Sequence, residues 1–329
     1  MRQKSPGEPA GFADPGYGAS GACSMSRHQL HAGPLNFGLT KMLFATPEEF
    51  LNAPRHAVTV FGMAGVGKTR LASLLRKDHW FHYSADYRIG TRYMGEFIVD
   101  NFKAEAMKVP FLRELLRTDS IKIDSNITFA NLDPLSTYLG RPGDTKRGGL
   151  QLAEYQRRQE QHRVAEIAAL QDVPYFIERA QTLYGYSNFI ADTGGSLIEV
   201  IDPENADDPV VKALTGNTLL LYIRGTEKDA AELVRRFRES PKPMYYQPPF
   251  LMQKWAEFKE INGVKDDAQV DPDAFGAWGF EALLTDRLPR YQKLANNFGY
   301  VVEAADLATV RDGDEFLDLV AGAIGKRMR

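Results

Sequence analysis

Gly62-Met63-Ala64-Gly65-Val66-Gly67-Lys68-Thr69 fits the pattern G-x-x-x-x-G-K-[ST] in full. Each residue type has a chemical reason to be there. Glycines at 62, 65 and 67 let a backbone wrap around phosphate with no Cβ in the way. Successive amide N–H groups, including those of Val66 and Gly67, form an anion nest. A helix opening near Lys68 and running through Arg70 adds the positive end of its dipole. Lys68 brings a mobile charge to the β- and γ-phosphates, and the Thr69 hydroxyl is a hard oxygen ligand for Mg²⁺. The chemistry expected is binding of a nucleoside triphosphate with Mg²⁺. ATP is the better prior over GTP, since no base-specificity motif is clear. A chance glycine-rich turn is the plainer alternative.

Other residues could act beside this loop. Asp192 closes an apolar segment, where a carboxylate binding Mg²⁺ directly or through water would sit; it also fits a cap on the turn at Thr193. Asp86 closes another such segment and by itself fits a turn residue or a helix cap. Arg88 and Arg92 lie four apart, so on a helix they would share a face and form an anion clamp. Gly194-Gly195 by itself fits a tight turn. Arg235, Arg236 and Arg238 form a basic cluster, with Arg235 and Arg238 taken as the phosphate-facing pair. A solvated helix face is the alternative there.

The elements that must position these residues are legible. Thr46-Pro47-Glu48-Glu49 is a capping-box start for a short helix. Ala57-Val58-Thr59-Val60-Phe61 is short, apolar and β-branched, and reads as a buried strand directly before the loop. Leu71, Leu74 and Leu75 share a face of the helix that follows. Further strands are expected over 80–85, 188–192, 218–223 and 299–302. Helices are expected over 97–116, 152–170, 227–238, 251–258 and 274–297, and from Glu315 onward. In the basic helix 152–170, Glu154, Glu160 and Glu166 interleave with Arg157, Arg158 and Arg163, which reads as a solvated helix. The stretch 89–186 is too long for one connection and is taken as an inserted substrate-side subdomain. The proline-rich segment 239–250 is taken as a lid. Short strands alternating with amphipathic helices predict an α/β domain with a mainly parallel sheet.

Bulk properties bound the rest. The 329 residues are 43% hydrophobic and 25% charged, ordinary for a globular chain. A net charge of −3 gives no whole-chain basic excess, which argues against a nucleic-acid partner. No apolar run approaches the roughly 20 residues of a membrane helix. Residues 1–41 are rich in Gly, Pro, Ser and Ala and read as a disordered leader, or as an early start, with Met25 and Met42 downstream. Cys23 is the sole cysteine, so no internal disulfide forms and a cytoplasmic setting is expected. The six histidines lack metal-ligand spacing.

Beyond the loop, the sequence resembles the shikimate kinase and nucleoside-monophosphate kinase group. Asp86 with Arg88 and Arg92 is similar to that group's acceptor-contacting aspartate and its anion-holding arginine. Tyr87 and neighbours of Gly90 stand where the group has a further aspartate and glutamate. Phe189-Ile190-Ala191-Asp192-Thr193-Gly194-Gly195 resembles its strand and glycine-rich substrate loop. Arg235-Arg236-Phe237-Arg238, followed by Ser240-Pro241-Lys242-Pro243-Met244, resembles its arginine-bearing lid. Residues 291–294 and Phe298-Gly299-Tyr300 resemble its last helix and strand. The resemblance implies a P-loop NTPase fold, three-layer α/β/α, with five strands in the order 2-3-1-4-5 and a helical insert.

The expected activity is transfer of the γ-phosphoryl group of ATP to a small hydroxyl or phosphate acceptor. Lys68, Asp86, Arg235 and Arg238 would act at the phosphates. Arg88, Arg92, Gly194 and Gly195 would hold the acceptor, with Thr69 and Asp192 on Mg²⁺. The alternative is a regulatory NTPase acting with a protein or nucleic-acid partner through the insert and the proline-rich segment.

Overall fold

The computed structural model describes residues 43–327. The leader expected over 1–41, with Cys23, lies outside them. The chain runs through α1 (Pro47–Leu51), β1 (Ala57–Phe61), α2 (Lys68–Lys77), β2 (Trp80–Ser84) and α3 (Ala85–Arg88). Next come α4 (Gly95–Ala106), α5 (Pro110–Arg117), α6 (Asp133–Leu139), α7 (Leu152–Gln171) and α8 (Val173–Thr182). Then follow β3 (Asn188–Asp192), α9 (Pro209–Thr215), β4 (Leu219–Arg224), α10 (Glu227–Glu239) and α11 (Pro248–Ile261). The last are α12 (Pro272–Phe298), β5 (Gly299–Glu303), α13 (Ala304–Thr309) and α14 (Gly313–Arg327).

The five strands form one sheet in the order β2-β3-β1-β4-β5, with every pairing parallel. In β1, side chains of both parities are buried, Val58 and Val60 as well as Thr59 and Phe61. Both sheet faces are therefore covered, as parallel sheets require, and the arrangement is compatible with three α/β/α layers. Parallel pairing sets all the strand C-termini along one edge, where ligands of such sheets bind. Asp192 stands there between Val60 of β1 and Ser84 of β2 in register.

Local chemistry explains where the boundaries differ from the sequence expectation. The strand expected over 80–85 stops at Ser84, whose Oγ accepts from Tyr87 N–H at 3.3 Å and caps α3. Asp86 thus lies in a helical first turn. The helix expected over 97–116 is two helices, because Pro110 lacks an N–H and holds Val109 extended. Helix α11 starts at Pro248, two prolines being tolerated in a first turn, which shortens the lid segment from 239–250 to 240–247. Helix α9 was not anticipated, although Asp208-Pro209 is its start signal: the Asp208 carboxylate accepts from Val210 and Val211 N–H. The Thr226–Asp229 capping box forms as expected.

The region 89–186 is helical and has a core of its own, with Ile89, Met94 and Ile98 packed against Tyr138 and Ala165. Its last helix, α8, packs back on β2 and β3. None of the described helices is long and apolar enough to cross a membrane.

Candidate functional site

The loop between β1 and α2 turns on glycines in the left-handed region, Gly65 at φ 84° and Gly67 at φ 97°. A side chain at either position would be strained. Val66 packs inward, 6% exposed. Lys68 is buried, and its ammonium donates to the carbonyls of Gly62 at 2.8 Å and Met63 at 2.9 Å. Burial lowers its pKa, while the nearby Asp192 and Asp86 carboxylates oppose that shift. The Thr69 hydroxyl donates to Asp192 Oδ2 at 2.9 Å. Burial raises the Asp192 carboxyl, against the pull of Lys68 and the Thr69 hydrogen bond.

Asp86 reaches the same place from α3. A Cβ added at Gly194 would run into its Oδ1, so the small residue at 194 is what admits the carboxylate. Burial, reinforced by the Asp192 charge and opposed by Lys68, pushes Asp86 up to about 6. Gly195 contributes its carbonyl, which accepts from the Tyr291 hydroxyl.

These groups border one cavity of about 740 Å³. Gly65, Thr69 and Asp86 border it beside the β1–α2 loop. Leu135 and Leu139 of α6, His162 of α7 and Leu284, Arg287 and Tyr291 of α12 wall the rest. The segment 240–247 crosses it as a strap. Met244 O accepts from Tyr155 at 2.8 Å and from Gln159 at 3.1 Å, Tyr246 N–H donates to Gln159 Oε1 at 2.9 Å, and Tyr245 O accepts from Arg287 at 2.9 Å. The strap expected to swing as a lid is thus tied down at three consecutive residues.

Five arginines chosen from the sequence do not border the cavity. Arg235 pairs with Glu232 and Glu239, and Arg238 with Glu281, all on an exposed groove of α10 and α12. The residue of that cluster turned to the loop is Arg236, whose Nη2 lies 3.3 Å from where a Cβ on Gly65 would stand. Helical geometry explains the swap, because successive positions are about 100° apart and one cluster cannot face one way. Arg88 pairs with Asp172 at 2.8 Å and stacks over Phe176 and Tyr93. Arg92 is exposed. The Arg88–Arg92 clamp is therefore absent, since Asp172 holds one of its members. Arg70 reaches 3.5 Å from the carbonyls of Leu307 and Val310, outside the cavity.

Residues not anticipated complete the wall of the cavity. Arg287 is 4% exposed and donates through Nε to Glu199 at 2.8 Å; Glu199 also takes Arg290 at 3.3 Å. Glu166, read from sequence as part of a solvated face, is 1% exposed. Its Oε1 accepts from Ser196 at 2.7 Å, and burial raises it to about 8. His162, one turn before it, is buried neutral: burial and then the Arg287 charge lower it to about 4. Glu154 and Glu160 do pair with arginines at the surface. Glu166 differs because it sits on the opposite side of α7, and the mixed composition of that helix hid the inward stripe.

The donor set fits Mg²⁺. A hydroxyl and a carboxylate converge beside the glycine turn, and Mg²⁺ is ordinarily held by one or two such oxygens together with phosphate oxygens. Among the described residues, no group of three or more His, Cys, Asp or Glu is placed to hold a metal ion without such help. No protein-family model matches the chain, and no curated protein matches it.

Proposed function

We propose that this chain is a P-loop phosphotransferase that moves the γ-phosphoryl group of ATP to a small hydroxylated acceptor. The observation that carries this reading is that the Asp86 carboxylate and the Thr69 hydroxyl border the same cavity, with Asp192 hydrogen-bonded behind Thr69. A carboxylate beside the loop can orient the attacking oxygen, and a walled cavity gives a small acceptor room beside it.

Each residue then has a task. The amides of 62–67 and the Lys68 ammonium hold phosphate oxygens, Lys68 leaving its two loop carbonyls to do so. Thr69 and Asp192 would hold Mg²⁺, which when bound neutralises phosphate charge. Arg236 supplies a further cation above Gly65. Asp86 orients the acceptor hydroxyl and takes its proton as that oxygen attacks the γ-phosphorus and the bond to the β,γ-bridging oxygen breaks. With a pKa of about 6, Asp86 is mostly ionised at neutral pH yet basic enough for the task. The apolar walls exclude water that would otherwise compete as acceptor.

A regulatory NTPase is the second reading, and one feature favours it. Helix α5 buries no residue, and its Phe111 is 72% exposed on the insert, as a partner surface would be. Residues of the strap 240–247, by contrast, line the cavity. Incubation with Mg²⁺, γ-labelled ATP and a pool of small hydroxylated metabolites separates the two. Label on a metabolite is expected. Slow release of free phosphate, indifferent to metabolites and raised by a protein partner, would replace the kinase reading with the regulatory one.

A further inference from the structure

Gly194 and Gly195 follow one another just beyond β3, and their missing side chains leave room for different things. A Cβ on Gly194 would collide with Asp86 Oδ1. A Cβ on Gly195 would collide with nothing. Its nearest neighbours would be Ala64 N, Arg287 Nη1 and the Tyr291 hydroxyl oxygen, each at 3.8 Å, an ordinary contact distance. The Gly195 backbone is not in the left-handed region either. Neither crowding nor strain therefore calls for glycine at 195. What it leaves is a space bordered by three polar atoms, and Ala64, Gly195, Arg287 and Tyr291 all line the cavity.

These atoms differ in what they can still bond. The Tyr291 hydroxyl donates to the Gly195 carbonyl. Ala64 N–H, in the β1–α2 loop, has no hydrogen-bond partner among the described residues. Arg287, on α12, is 4% exposed, and two of its nitrogens are committed. Nε donates to Glu199 at 2.8 Å and Nη2 to the Tyr245 carbonyl at 2.9 Å. Nη1 bonds to none of the described residues, yet it is not among the buried atoms sealed from solvent without a partner. It is therefore open to the cavity while the rest of the guanidinium is clamped.

The Arg287 charge is only partly matched. Glu199 is shared between Arg287 and Arg290. Burial holds Glu166 at about 8 and His162 at about 4, so neither brings a charge near pH 7. Burial also lowers the Lys68 pKa, and the Arg287 charge adds to that shift, so the two cations act on each other. An anion placed between them would relieve both. Ala64 N and Arg287 Nη1 lie at the same distance from one point, so they stand no more than twice that distance apart. A phosphoryl group that takes a hydrogen bond of about 2.9 Å on either side is wide enough to bridge that span.

We propose that Arg287 is a catalytic residue of the transfer, its Nη1 and the Ala64 amide holding oxygens of the phosphoryl group in the space beside Gly195. In that step the acceptor oxygen bonds to the γ-phosphorus. The bond to the β,γ-bridging oxygen breaks with its electron pair left on ADP, and the acceptor proton goes to Asp86. Arg287 exchanges no proton. It offsets the negative charge of the phosphoryl oxygens, and its clamped guanidinium needs no rearrangement to do so. This assignment rests on the phosphotransferase reading.

The test is calorimetric titration of MgADP into the full chain with and without aluminium fluoride, a planar mimic of a phosphoryl group in transfer. Two variants separate the site from the fold. Gly195→Ala puts a methyl group into the space and leaves the Arg287–Glu199 pair intact. Arg287→Lys keeps a cation beside Glu199 and removes the fork. Melting curves establish that each protein folds. Aluminium fluoride is expected to tighten MgADP at least about tenfold in wild type and no more than about twofold in either folded variant. The affinity for MgADP alone is expected to agree within about twofold across the three proteins. Tightening that persists in a folded variant, or no tightening in a wild type that binds MgADP, would overturn the role of Arg287 and leave the phosphotransferase reading standing. No binding of MgADP by wild type would remove that reading, and the proposal with it.

Discussion

The Thr69 hydroxyl donates to Asp192 Oδ2 across 2.9 Å, joining residues 123 apart in the chain. That bond ties the start of α2 to the end of β3 and puts two hard oxygen donors side by side. Asp192→Asn keeps the size and an acceptor for Thr69 but removes the charge. The Mg²⁺ concentration for half-maximal activity is expected to rise about tenfold or more. An unchanged Mg²⁺ titration would remove Asp192 from metal binding.

Asp86 is held up to about 6. It must be ionised to take a proton, so kcat/KM is expected to fall as pH drops through about 6. Asp86→Asn is expected to lower kcat about 10²- to 10⁴-fold and to abolish that limb of the profile. A limb near pH 6 that survives in the variant belongs to another group.

Arg236 lies 3.6 Å from Glu232, and Arg235 pairs with the same carboxylate, but of the α10 arginines it is Arg236 that borders the cavity. Arg236→Ala is expected to lower kcat about 10²-fold, the loss typical of one electrostatic contact to a transition state. Arg235→Ala and Arg238→Ala remove exposed ion pairs and are expected to leave kcat within about twofold. Steady-state kinetics on the three variants decides this. Equal effects at all three positions would mean that α10 turns when substrate binds.

How much of this was legible follows from where the information lies. The glycine turn between β1 and α2 was legible because it is local: eight consecutive residues carry its pattern, between a strand and a helix that announce themselves by pattern. Asp86 and Asp192 were legible as carboxylates near strand ends. The choice among Arg235, Arg236 and Arg238 was not, because it depends on the rotation of α10 relative to Gly65, a tertiary quantity. Arg88 was misread because its partner, Asp172, lies on another helix junction far along the chain. His162, Glu166 and Arg287 were missed for a related reason. Each is a charged or polar residue on a helix with other charges, and only packing reveals that these point inward.

Glu166 offers a check on that packing that does not depend on activity. Its carboxyl is raised from an ordinary 4.5 to about 8 by burial. The folded state therefore keeps a proton that the unfolded state releases, and stability falls as pH rises from about 4.5 to 8. Glu166→Gln has no proton to lose. It is expected to match wild type near pH 4 and to exceed it by on the order of 4 kcal/mol by pH 8. Parallel denaturant midpoints for both proteins across that range would show that Glu166 is ionised in the fold.

The most direct test of the central claim is calorimetric titration of MgATP into wild type and Lys68→Met. The substitution keeps the stem of a buried side chain and removes only its charge, so the fold is expected to persist. One site per chain is expected in wild type, with affinity weakened at least about tenfold in the variant. No binding by wild type, or equal affinity in the two proteins, would contradict the assignment of residues 62–69 as the phosphate site.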